Sequence, residues 1–256
     1  NTKPYTFAES AGINEDKLPK LVQADALKGW WADVMAAVGV SRKDAEVMAY
    51  SLVESDLMGV DTHGILKLPM YVSRAQKGGD NPKARLRVIQ ETATTARCDG
   101  EGGYGQIMGW RGMELAMEKA EKNGVGFVSI CNSNTLTCCR VYSRLAAEKG
   151  YICITNGTPQ MAPPGGRERL LGTSPWSFAV PGKEFPVMFD MACTVVGWTR
   201  MAIMASRGET TVPDNWAVTA EGKPTTDIDQ AMNGLMLPFG GHKGYALSVM
   251  AELLTG

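Results

Sequence analysis

The chain has 256 residues, 44% of them hydrophobic and 21% charged, and its 26 Lys and Arg against 27 Asp and Glu leave a formal charge of −1. This is the mix of a folded chain, one large domain or two small ones, and it excludes intrinsic disorder and coiled coil. There is no basic excess to neutralise a phosphate backbone, so nucleic acid is not an expected partner. There are only two histidines, His63 and His242, so a neutral-pH acid or base is one of these or a carboxylate, lysine, tyrosine or cysteine with a shifted pKa. The six cysteines (Cys98, Cys131, Cys138, Cys139, Cys153 and Cys193) include no Cys-x-x-Cys pair and no histidine-spaced zinc pattern. They read as thiols of a reducing compartment, with neither a disulfide framework nor a metal site. No 18-residue apolar run and no basic-then-apolar leader is present. A cytoplasmic protein without a membrane segment is expected.

In chain order, residues 22–38 place Val22, Ala26, Leu27, Trp30, Val34 and Ala37 on one helical face. Ser41 and Asp44 form a capping box before a second helix over 42–57. A turn from Gly59 to Gly64 leads to a third helical pattern that breaks at Gly78 and Gly79. Residues 84–98 predict two short strands, and a glycine turn over 100–105 opens a helix running to Asn123. Strand and helix then alternate: a strand over Val125–Ile130, a helix over 139–149, and strands at Tyr151–Thr155, 176–180 and 186–190. A helix over 194–207, a loop-rich stretch over 208–241 and a helix over 244–254 complete the pattern. Alternation of this kind predicts α/β layers with a sizeable sheet.

Five features carry candidate chemistry. Gly100, Gly102, Gly103 and Gly105 match a Gly-x-Gly-x-x-Gly phosphate loop, but the polar segment before them favours a plain glycine turn. Asp61-Thr62-His63-Gly64, with Lys67 and Tyr71 following at a spacing that shares one helical face, offers a proton donor, a cation and a phenol. The competing reading is a histidine that satisfies nearby helix ends. Asn132-Ser133-Asn134-Thr135 follows a strand, where open α/β sheets place ligands and where turn residues also accumulate. Asp190, ahead of Met191 and Ala192, ends an apolar strand and either grips a ribose hydroxyl or caps the next helix. Gly240-Gly241-His242-Lys243-Gly244 opens the last helix, suited to an anion or to plain solvent-exposed capping.

Taken together, these motifs resemble the malate/L-lactate dehydrogenase family, the sulfolactate dehydrogenase-like group. The resemblance rests on Gly59 to Ile65, Leu68-Pro69 with Tyr71, and Gly78 to Pro82. It continues through Gly124-Val125-Gly126 before Asn132-Ser133-Asn134, Leu171-Gly172-Thr173 with Pro175, Asp190-Met191-Ala192, and Gly240 to Tyr245. The family order is kept from about residue 20 to the end.

The resemblance implies a mixed-sheet, non-Rossmann NAD(P)-binding α/β domain over 81–256 and a helical domain over 1–80 carrying the His63 turn. It also implies a homodimer, and further chain beyond Gly256 that completes the helical domain and the cofactor site. The implied activity is hydride transfer between NAD or NADP and a small 2-hydroxy or 2-oxo acid, with reduction of a cyclic imine carboxylate as the alternative in the same family. By position, His63, Lys67, Tyr71 and Thr135 fall on the catalytic side. Thr62, Asn134, Thr173, Asp190, Met191, Ala192, His242 and Lys243 fall on the cofactor side.

The departures are specific. A second family histidine is Thr135, and the carboxylate-binding arginine is Lys67, which keeps charge but lacks the bidentate fork. Ser174, Pro164 and the run Trp198-Thr199-Arg200 also differ from the family pattern. Because Thr135 and Lys67 change together, a dimeric nucleotide-binding homologue without catalysis is the rival expectation.

Overall fold

The computed structural model describes residues 21–157, 160–161, 171–172 and 174–255. Helix α1 spans Ala24–Ala37 and buries Trp31, Ala32 and Met35. Helix α2, Arg42–Leu57, starts as its sequence predicts: the Ser41 hydroxyl accepts from the Asp44 N–H at 3.3 Å. A cap of this kind contributes about 1 kcal/mol. The expected Gly59–Gly64 turn is instead two short 3-10 turns, Asp61–His63 and Ile65–Lys67, followed by α3 over Leu68–Gln76 with Pro69 in its first turn.

Gly64 fixes that junction. A Cβ there would lie 1.8 Å from Asp56 Oδ1, because the Asp56 carboxylate crosses the turn to accept the Ile65 N–H at 2.9 Å. No other residue lets the α2 carboxylate and the His63 turn close on each other.

The first sheet holds β1 (Arg87–Glu91), β2 (Thr95–Gly103) and β3 (Phe127–Ser133). β1 and β2 pair antiparallel; β2 and β3 pair parallel and are joined through α4, Gly105–Asn123. A parallel pair needs such a crossover. Helix α5, Arg140–Glu148, leads to β4, Cys153–Asn156. After the short pair β5 (Gln160–Met161) and β6 (Leu171–Gly172), β7 (Trp176–Val180) and β8 (Val187–Met191) join β4 in an antiparallel sheet of order β4-β7-β8. Helix α5 is fastened to that sheet by the buried Ser143–Ser177 hydroxyl pair at 2.6 Å. Helix α6 (Trp198–Ser206), β9 (Ala217–Val218), α7 (Ile228–Asn233), β10 (Leu235–Met236) and α8 (His242–Thr255) complete the chain.

The largest core joins Trp31, Met35, Met48, Leu52 and Tyr71 of the first helices to Tyr104, Ile107 and Met108 at the start of α4. A second core, with Met201, Ala217 and Ile228, ties α6 to α7 and β9.

Three expectations are corrected. Residues Gly100 to Gly103 are the end of β2 and not a turn. The sizeable sheet expected is, among the described residues, two three-stranded sheets and two two-stranded ones, while 208–241 is loop-rich as expected, with only the short α7, β9 and β10 inside it. The strand expected over 125–130 runs over Phe127–Ser133, because Gly126 packs under α4 with its would-be Cβ 1.9 Å from the Ala116 carbonyl.

Candidate active site

A cavity of about 1710 Å³ opens where the ends of β3, β4 and β8 meet the 3-10 turns and the start of α6. His63 lies on its wall, half-buried, with Nδ1 2.7 Å from the Thr62 hydroxyl. That contact orients the ring and leaves Nε2 as the nitrogen for a ligand. Burial lowers the imidazole pKa below its usual value of 6.5, and Lys67 pushes it the same way, against a smaller opposing pull from Asp190 and Asp61. Both effects favour the neutral ring over the imidazolium.

Lys67 reaches Thr199 at the start of α6, donating from Nζ to Oγ1 at 3.2 Å. Among the described residues no carboxylate lies within ion-pair distance of it, and burial lowers its ammonium pKa. Lys67 is the N-cap of α3, in helical backbone conformation, and Tyr71 follows one turn later in the same helix. Its ring, 1% exposed, stands edge-on between Trp31 at 6.3 Å and Tyr104 at 6.0 Å, bordering the cavity from the core side. Burial raises its phenol pKa.

Asn134 and Thr135 lie at the end of β3, but in different roles. The Asn134 amide donates to the carbonyls of Gly102 at 2.9 Å and Gly103 at 3.3 Å, and its oxygen accepts from Arg74 at 2.5 Å. Arg74 also pairs with the buried Asp80 at 2.9 Å. This side chain clamps β2, β3 and α3 together. Thr135 is exposed on the rim, where its hydroxyl accepts weakly from the Thr137 N–H at 3.5 Å.

The same loop covers the α4 N-terminus. A Cβ on Gly105 would lie 2.3 Å from both the Asn134 and the Thr135 carbonyl oxygens. The glycine run of 100–105 thus serves close packing, and protein carbonyls stand where a phosphate cradle would need space.

Asp190 Oδ2 accepts from the Arg140 N–H at 2.9 Å and from the Cys138 thiol at 3.4 Å. It caps α5 across the sheet and not the segment that follows it. Met191 and Ala192 also line the cavity. His242 and Lys243 sit on the exposed first turn of α8, after Gly240 and Gly241 at φ 55° and 60°, and do not line the cavity. Thr173 and Pro164 lie outside the described residues. All six cysteines are free, and no described helix is long and apolar enough to cross a membrane.

On the cavity wall Ser133 belongs to a candidate motif of the sequence, whereas Asn156 and Arg140 carry no sequence expectation. Ser133 Oγ, both polar atoms of the Asn156 side chain, and Arg140 Nε are buried without a hydrogen-bond partner. A signal for Arg140 was available. It is the first residue of a helix, where the helix dipole disfavours a cation, and that helix follows a strand end.

The sequence profile of the malate/L-lactate dehydrogenase family matches residues 22–256. A malate dehydrogenase of Pyrococcus abyssi is 38% identical over 253 residues, covering 95% of this chain and 68% of that protein. A ureidoglycolate dehydrogenase (NAD(+)) of Escherichia coli is 35% identical over 225 residues, covering 87% and 64%. The solved sulfolactate dehydrogenase of Methanocaldococcus jannaschii superposes with a TM-score of 0.83 at 38% identity, covering 92% of this chain and 69% of that one. The chain thus spans about two thirds of the length of these relatives and shares their mixed α/β fold. It belongs to the malate/L-lactate dehydrogenase family of oxidoreductases.

Proposed function

We propose that this chain interconverts a small 2-hydroxy acid and its 2-oxo acid in the cavity around His63, with NAD or NADP as the hydride carrier. The observation that carries the reading is His63 itself: oriented by Thr62, biased toward the neutral form by burial and Lys67, and set on the wall of a cavity large enough for two ligands. Single drug-sized ligands occupy roughly 300–1,000 Å³.

The walls fit a dinucleotide. Each buried polar atom left without a partner costs about 1–3 kcal/mol, and Ser133 and the Asn156 amide offer such atoms to a ligand that supplies the complement. When bound, the nicotinamide supplies or accepts the hydride. In the direction of reduction the protonated His63 delivers its proton to the substrate oxygen; in the direction of oxidation the neutral ring takes it back. Lys67 pairs with the substrate carboxylate, and holding both groups sets the carbonyl for attack. Thr135 donates a hydrogen bond at the rim but exchanges no proton near pH 7.

The same reading assigns residues 1–80 to a helical domain and 81–256 to a non-Rossmann cofactor domain in a cytoplasmic homodimer. The exposed apolar side chains of β8, Val187, Phe189 and Met191, support a covered face there.

Mixing the protein with NADH or NADPH and a panel of 2-oxo acids and cyclic imine carboxylates tests the proposal by loss of 340 nm absorbance. Oxidation with a 2-oxo acid is expected. Cofactor binding without turnover of any panel member overturns it in favour of a silent homologue.

A further inference from the structure

Lys67 and Thr199 come from distant parts of the chain, 132 residues apart, and meet on the cavity wall, where Nζ donates to Oγ1 at 3.2 Å. Among the described residues each is the other's only side-chain hydrogen-bond partner. The two sides of this contact differ in rigidity. Lys67 carries its ammonium on a flexible four-carbon stem with roughly 2 kcal/mol of rotamer entropy. Thr199 is branched at Cβ and lies in the first turn of α6. On one side of it the Trp198 indole donates to the Met232 carbonyl at 3.1 Å, and on the other Met201 is fully buried in the second core. Helix α6 also packs against the Asp61–His63 turn. The hydroxyl is thus a fixed point near His63, and the ammonium is tied to it.

An ammonium has three N–H donors, and the Thr199 contact uses one. A lysine is a point charge without the planar fork of arginine, so a second anchor is what gives its contact a direction. We propose that Thr199 is a positioning residue: it holds the Lys67 ammonium against α6 so that the remaining N–H groups meet the substrate carboxylate beside His63. The inference rests on the reading of the cavity as the site of 2-oxo acid reduction and adds to it a residue that acts through Lys67.

The test follows NADH oxidation by the 2-oxo acid that the wild type reduces fastest, from a panel that includes pyruvate and oxaloacetate. It compares the wild type, Thr199→Val, Thr199→Ser, Lys67→Met and the double variant Lys67→Met with Thr199→Val. Valine keeps the branched shape and removes the hydroxyl, and urea unfolding checks stability. In Thr199→Val the KM is expected to rise about threefold to tenfold, for one lost hydrogen bond to a charged group, with kcat within about twofold. The NADH dissociation constant, read by fluorescence, does not move. Thr199→Ser restores the hydroxyl and returns the KM to within about twofold of wild type. In the Lys67→Met background Thr199→Val changes the KM by less than about twofold, since the partner is already gone.

The same rise in KM with and without Lys67 would overturn the inference, because Thr199 would then act on its own. An unchanged KM in Thr199→Val, whatever its urea midpoint, would overturn it by reducing the contact to a tether between the His63 turn and α6. A weakened NADH affinity would overturn it by assigning Thr199 to the cofactor. Each of these leaves the underlying reading in place. A wild type that reduces no 2-oxo acid overturns that reading and this inference with it.

Discussion

The two histidines of this chain stand in similar sequence and in opposite surroundings. His63 and His242 both sit beside glycine, each with a lysine within one helical turn. His63 is half-buried on a cavity wall, bonded to Thr62, with its proton affinity lowered by burial and by Lys67. His242 lies exposed at the head of α8, away from that cavity. The difference originates in what packs behind each turn. Asp56 reaches under Gly64 and pins the first turn against α2, whereas the second turn rests on backbone: a Cβ on Gly244 would lie 2.6 Å from the Cys193 and Phe239 carbonyl oxygens. Residue type nominates a proton carrier; desolvation and a fixed partner make one.

The comparison breaks most readily at His63. His63→Ala is expected to lower kcat by about 10²–10⁴ while cofactor affinity, read by NADH fluorescence, stays near wild type. A variant retaining most of its turnover would place the two histidines on an equal footing. Lys67→Met is expected to raise the KM for every 2-oxo acid by about tenfold to a hundredfold, since it removes a partly desolvated cation from the shared carboxylate. Gly64→Ala attacks the turn and not the chemistry. Its methyl would meet the Asp56 carboxylate, costing about 1–3 kcal/mol in urea unfolding and moving His63 off its mark. His242→Ala is the smallest effect, with kcat and stability within about 0.5 kcal/mol of wild type, as for exposed positions generally. A larger loss there would draw α8 into the site.

Much of the fold was legible where the local code is strong. Ser41 marked the start of α2, and the strand expected over 176–180 matches β7 residue for residue. The His63 turn was legible as a cluster of chemistry, though not as 3-10 geometry, which depends on Asp56 from another element. The roles of Asn134 and Asp190 could not be read from their neighbours in sequence. Asn134 is bound by Gly102, Gly103 and Arg74, and Asp190 caps a helix fifty residues earlier. Arg140 and Asn156 were missed for the same reason. An unsatisfied buried donor exists only once the chain has folded around it.

The account turns on His63 as the proton carrier, and the direct measurement is the pH dependence of single-turnover NADH oxidation by a 2-oxo acid in stopped flow. Because burial first and Lys67 second lower the imidazole pKa, the protonated ring is lost as pH rises through a midpoint below 6.5. The rate constant for reduction is therefore expected to fall across that midpoint. Lys67→Met, at saturating substrate, should move the midpoint upward, since one source of the depression is gone, and His63→Ala should abolish it. A pH profile with the same midpoint in all three proteins would contradict the assignment and place the proton on another group.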